Sequence, residues 1–316
     1  RMLRNTDHRS YNDRKTSAQN VSVVWEDWEP YKPGEGDIWH ALEEKGGAYP
    51  IRNNDFVITA CITTRDHLWP VPYVYNNYHF VQTHHANLDM KIAYPTERKF
   101  FADVLLGNSK PHRLMFFELM KENNMLDKNI INLFNVYRSD FLDTVQNDVQ
   151  KMIDNNPNTD YPNTTLLLKG KFISQHISAP IMENSWISVV GETIDDNDIF
   201  FVTEKTAKPL MAGRPFIMLG GLHYLKHLRN LGFKTFAPVI DESYDEVVDY
   251  SERVKSAFHS FQKLSEQDPK ETLSKLAPVL EHNRNIMYDK HKLTQPARRF
   301  LDDLYTRYAY DPKSNH

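Results

Sequence analysis

Short apolar runs bounded by turn residues alternate along this chain with stretches whose apolar positions repeat every three or four residues. The runs read as strands and the repeats as helices, an alternation that predicts parallel α/β layers. In the first third, Val21-Ser22-Val23-Val24-Trp25 and Asp55-Phe56-Val57-Ile58-Thr59-Ala60-Cys61 have strand character, with Pro72-Tyr73-Val74-Tyr75 as a third candidate. Between the first two, 37–45 reads as a helix that starts on the Asp37 cap and stops at Gly46-Gly47. Near residue 100 a new unit is expected to begin. It opens with a strand over 101–106, the turn Gly107-Asn108-Ser109-Lys110-Pro111, and an amphipathic helix over 112–123. That helix pairs Met115 with Leu119 and Phe116 with Met120 at helical spacing. The segments 130–134, 186–190 and 215–219 supply further strands, and the polar stretch 154–164 reads as a surface loop. Toward the end the pattern turns helical: Val247, Val254, Phe258 and Phe261 mark one face, and Leu273, Leu276 and Leu280 another. A final helix is expected from near Pro296, carrying Phe300, Leu304 and Tyr308; by analogy alone, it is expected to cross back over the first domain.

With 316 residues the chain exceeds the size at which one core usually stops growing, so two domains are expected, over 1–100 and 101–316. Its 40% hydrophobic and 12% aromatic content suits a globular protein with a sizeable core. No apolar run has the length to span a bilayer, and the charged start (Arg1, Arg4) leads into no apolar signal core. A net charge of −4 argues against broad binding to nucleic acid or to anionic membranes, both of which require a basic surface. Cys61 is the only cysteine, which excludes an intrachain disulfide and favours a reducing, cytoplasmic compartment. The sequons at Asn20 and Asn163 are read as chance matches in a chain rich in Asn and Thr.

Candidate chemistry gathers where strand-like runs give way to helices, the positions at which open α/β sheets bind ligands. Arg113 falls in the opening turn of one helix, Glu192-Thr193 at the end of a strand, and Thr203-Glu204-Lys205 at the next helix start, with Thr203 as its cap. Helix starts attract phosphate, so Arg113 and Lys205 would supply two cations for a diphosphate, and Glu192 and Glu204 acceptors for sugar or ribose hydroxyls. The plain alternatives are a solvated arginine and a glutamate that only complements the helix dipole.

The segment Lys110-Pro111-His112-Arg113-Leu114-Met115-Phe116 resembles the P-x-R-x-x-F stretch that opens the nucleotide-binding domain of α1,3-fucosyltransferases. Glu192-Thr193 followed by Phe201-Val202-Thr203-Glu204-Lys205 is similar to the E-N and (F/Y)-V-T-E-K motifs of the same family. Gly232-Phe233-Lys234-Thr235-Phe236 and Asp241-Glu242-Ser243-Tyr244-Asp245 resemble strings in glycosyltransferases borne by phages and viruses, for which the compartment would be the host cytoplasm. The resemblance covers roughly 101–250. It implies a GT-B fold, two Rossmann-like domains facing across a cleft, with the acceptor on the first and the nucleotide sugar on the second. It also implies metal-independent, inverting transfer with no cofactor beyond the donor. Arg113 and Lys205 would then contact the diphosphate, Glu204 the ribose, and Glu192 and Thr193 the donor's surroundings. Thr193 stands where the family has Asn, and the spacing to the T-E-K motif is longer, so the sugar and base of the donor stay open.

An inverting enzyme requires a carboxylate within reach of the acceptor hydroxyl. Asp66, in Thr63-Thr64-Arg65-Asp66-His67, is the expected base, with Glu26, Asp27 and Glu29 as competitors. Two rivals stay in view: a metal-dependent transferase using Asp196-Asn197-Asp198, and a glycan-binding or structural protein with a decayed site. His84-His85, with His79 nearby, lacks a spaced carboxylate partner, so no metal site is expected. The absence of G-x-G-x-x-G, G-x-x-x-x-G-K-(S/T) and G-x-S-x-G lowers dehydrogenase, P-loop NTPase and serine-hydrolase readings.

Overall fold

A computed structural model describes residues 78–145, 175–293 and 295, together with the backbone of short strands within 23–26, 56–59, 61–63, 73–75, 167–168 and 171–172. Its centre is a five-stranded sheet in the order β12-β10-β5-β6-β7. These strands are β5 (Phe100–Gly107), β6 (Asn129–Leu133), β7 (Tyr137–Arg138), β10 (Ser185–Gly191) and β12 (Phe216–Leu219). All pairs are parallel except the short β6–β7 pair. Every residue of β10 and β12 is buried, as expected for a parallel sheet covered on both faces.

The chain leaves β5 toward β6 on one side and later leaves β10 toward β12 on the other. The order therefore reverses between β5 and β10, and the crevice at their C-terminal ends is a topological switch point. Helix α2 (Pro111–Glu122) makes the first crossover and packs on α6 (Tyr250–Ser265). Helix α4 (Glu204–Ala212) belongs to the second and packs between α1 (Tyr78–Ala86) and α7 (Pro269–Tyr288). Phe80 and Val81 of α1 join the same core as the sheet, so a helix from before residue 100 completes the packing of the second unit.

A separate parallel sheet, β1-β2-β4, is built from β1 (Val23–Glu26), β2 (Phe56–Thr59) and β4 (Tyr73–Tyr75). The run expected as one strand over 55–61 is two: β2 and then β3 (Cys61–Thr63), which pairs antiparallel with β11 (Ile199–Phe201). The apolar run before Thr203 thus lies outside the main sheet. Its residues find backbone partners in the first third of the chain instead. Two short strands, β8 (Leu167–Leu168) and β9 (Lys171–Phe172), form a hairpin. The helices expected over 37–45 and from Pro296, and the loop 154–164, lie outside the described residues. Among the described residues no helix is long and apolar enough to cross a membrane.

The opposite, N-terminal edge of the sheet is closed by a buried ion pair. Arg214, just before β12, donates to Asp103 Oδ1 of β5 at 2.8 Å, and to the carbonyls of Met182 and Ser185 at 2.7 Å and of Ile187 at 2.8 Å. Ser185 and Ser188 also donate to Asp103. Removing the cation alone would strand a buried carboxylate, so R214M is expected to lose about 3–5 kcal/mol of stability in urea denaturation.

Candidate functional site

At the switch point the end of β10 continues as Gly191-Glu192-Thr193, and Glu192 is 0% exposed. Its carboxylate accepts from Thr203 N at 3.1 Å, Thr203 Oγ1 at 2.6 Å, Thr206 Oγ1 at 2.5 Å, Tyr224 OH at 3.0 Å and Thr193 N at 3.2 Å. Burying a carboxylate is costly without such partners. Here they come from α4 and from α5 (Tyr224–Asn230), so the group staples both helices to the strand end. Glu192, expected from the sequence to lie near the donor, braces the strand end from beneath the surface.

Arg113 lies in the same buried layer. It is 2% exposed, and its guanidinium donates to the carbonyls of Gly191 at 2.9 Å, Glu192 at 2.8 Å and Asn108 at 3.2 Å. A Cβ on Gly191 would lie 3.1 Å from Arg113 Cγ and 3.2 Å from Arg113 Nε, so a side chain there would press on the arginine. Beside it, buried His112 has Nε2 2.9 Å from Glu192 O and Nδ1 3.1 Å from Asp195 Oδ2. Burial alone would raise the Asp195 carboxyl, but the hydrogen bond from His112 and that ring's charge hold it below the usual range.

Above these braces lie the partly exposed groups. Thr203 caps α4 by accepting from Lys205 N at 3.2 Å, as its sequence position predicts. Lys205 Nζ donates to Glu204 Oε1 at 2.9 Å, Thr193 Oγ1 at 3.2 Å and Thr203 Oγ1 at 3.3 Å. Burial would raise the Glu204 carboxyl, yet the charges of Lys205 and Lys208, the Lys205 hydrogen bond and His79 bring it down to about 2. At neutral pH Glu204 is therefore an ionised, acceptor-only group beside an ammonium. His79, from α1, has its own imidazole pushed down by burial, against the pull of Glu204 and Glu192. Lys110 belongs to the turn before α2. Its Nζ donates to Thr193 O at 2.6 Å, a contact across 83 positions that spacing could not reveal.

The fold thus brings Arg113, Glu192, Thr193, Glu204 and Lys205 to one place, in two layers. Asp66, Asp27 and Glu29 lie outside the described residues, while Glu26 ends β1. Asp196-Asn197-Asp198 forms a turn, with Asp198 N donating to Asp196 Oδ1 at 2.9 Å and Asn197 reaching Val248 O at 3.0 Å. His84 lies within α1, its Nδ1 2.8 Å from Met287 O. Among the described residues His223, Asp245 and Glu246 hold one possible metal-ligand atom each within 4.8 Å of one another. Both oxygens of Asp245 already accept from Leu225 N and Lys226 N at the start of α5, an end whose partial positive charge disfavours a cation.

Because the folded state holds Glu204 below its ordinary 4.5, its contribution is present above that value and lost as pH falls from 4.5 toward 2. Stability measured by urea denaturation should fall across that window by about 2–3 kcal/mol more than in Glu204→Gln, whose profile lacks this titration.

No protein-family model matches the chain and no curated protein does.

Proposed function

We propose that this protein is a glycosyltransferase of GT-B architecture, moving a sugar from a nucleoside-diphosphate donor to an acceptor hydroxyl with inversion. The observation that supports it most is the Glu204–Lys205 ion pair on the capped start of α4, beside Thr193 at the switch point of a parallel sheet. The pair suits the two halves of a nucleotide sugar's head. Ionised Glu204 accepts from ribose hydroxyls, and Lys205 meets the diphosphate. The separate parallel sheet of the first 75 residues is what the acceptor domain of such a fold would be built on.

In this reading the acceptor oxygen attacks the anomeric carbon while the bond from that carbon to the phosphate oxygen breaks. The departing diphosphate gains charge as it leaves. Lys205 stabilises that charge, an effect that grows toward the transition state and so lowers the barrier. Asp66 takes the proton from the acceptor. The resemblance to α1,3-fucosyltransferases agrees with the roles of Glu204 and Lys205. A compartment free of disulfide chemistry fits the single Cys61.

Thermal-shift screening against GDP, UDP, CMP and their sugars tests the donor class, because a ligand that binds only the native state raises its melting temperature. A match should stabilise the wild-type protein. With the matching donor, Lys205→Ala should lower kcat by about 10²–10³, roughly 2.7–4 kcal/mol in barrier, in protein that circular dichroism shows to be still folded at the assay temperature. Unchanged turnover in that variant would remove the reading.

A further inference from the structure

We infer that the donor diphosphate is gripped by two lysines, Lys110 and Lys205, converging on Thr193, and that Arg113 braces them from below. This rests on the donor-binding reading above and names the second cation of that site. Lys110 Nζ donates to Thr193 O at 2.6 Å, and Lys205 Nζ to Thr193 Oγ1 at 3.2 Å. The two lysines arrive from opposite sides of the switch point. Lys110 caps α2 after β5, whereas Lys205 opens α4 after β10. Each crossover thus delivers one ammonium to the same residue.

Accessibility separates these groups from the arginine. Lys110 is half-buried and the Lys205 side chain is 25% exposed, whereas Arg113 is 2% exposed with its fork turned to three backbone carbonyls. Freeing Arg113 for a ligand would leave the carbonyls of Gly191 and Glu192 without that donor in a buried place, a costly exchange. Lys205 has an easier one. Its contacts to the hydroxyls of Thr193 and Thr203 are long, at 3.2 and 3.3 Å, and a phosphate oxygen is the stronger, charge-assisted partner. Two ammonium groups held near one residue repel each other, and an anion with charge on two neighbouring phosphates relieves that repulsion. Lysine meets phosphate as a point charge, so no planar fork is required.

Calorimetric titration of the wild type, Lys110→Met, Lys110→Arg and Arg113→Met with GDP, UDP and inorganic pyrophosphate tests the assignment, after urea denaturation of each. Lys110→Met should remain folded, losing less stability than Arg113→Met, and bind both the preferred nucleoside diphosphate and pyrophosphate at least about tenfold more weakly, with a shallower salt dependence. Lys110→Arg should recover most of the affinity, and Arg113→Met should unfold at lower urea. Nucleotide affinity unchanged in Lys110→Met overturns the assignment and leaves the donor reading standing. Pyrophosphate binding that Lys110→Met abolishes, with no nucleotide bound by the wild type, supports the lysine pair and removes the donor reading. A wild type that binds neither overturns both.

Discussion

The buried carboxylate of Glu192 is the constraint on which this site depends. A strand end, a helix start and a tyrosine from the next helix have no covalent reason to meet. They do so because one desolvated charge must be surrounded by donors, and Thr193, Thr203, Thr206 and Tyr224 supply them. The consequence is functional geometry. Thr203 gives its hydroxyl proton to Glu192 and, with the lone pairs left, accepts from the backbone and side chain of Lys205. The direction in which the lysine points is therefore set by a group that no ligand can reach.

Charge is handled differently at the two edges of the sheet. At the N-terminal edge Arg214 and Asp103 are almost wholly enclosed, and every strand they touch is locked by carbonyl or hydroxyl contacts. At the C-terminal edge Arg113 and Glu192 form a similar buried layer, but Lys110, Glu204 and Lys205 are left partly in solvent above it. Stability is concentrated below and exchangeable contacts above. That division lets a site hold its shape while its outer groups change partners.

The strings Gly232–Phe236 and Asp241–Asp245 are tied together and packed into the fold. Glu242 accepts from Phe236 N and from Thr235 Oγ1, tying Asp241–Asp245 back to Phe233–Phe236. Asp245 caps α5, and Tyr244 is buried with its hydroxyl pushed well above the ordinary range by that burial. Phe233 packs against Phe80 of α1, and Phe236 against Phe216 of β12.

Local physics determined much of this architecture. Strands β5, β6, β10 and β12, helix α2, the face of α6 made by Val254, Phe258 and Phe261, and the Thr203 cap were all legible, because periodicity and capping act over a few residues. Helix α1 escaped notice since its polar members, Thr83 and His84, are buried against distant segments rather than facing water. The same limit separated partly exposed from buried residues. Arg113 and Lys110 lie three positions apart with similar charge, yet only the approach of β10 buries one and brings the other onto Thr193. The sequence thus placed these side chains at strand and helix ends, while their exposure depended on contacts tens of residues away that no local pattern encodes.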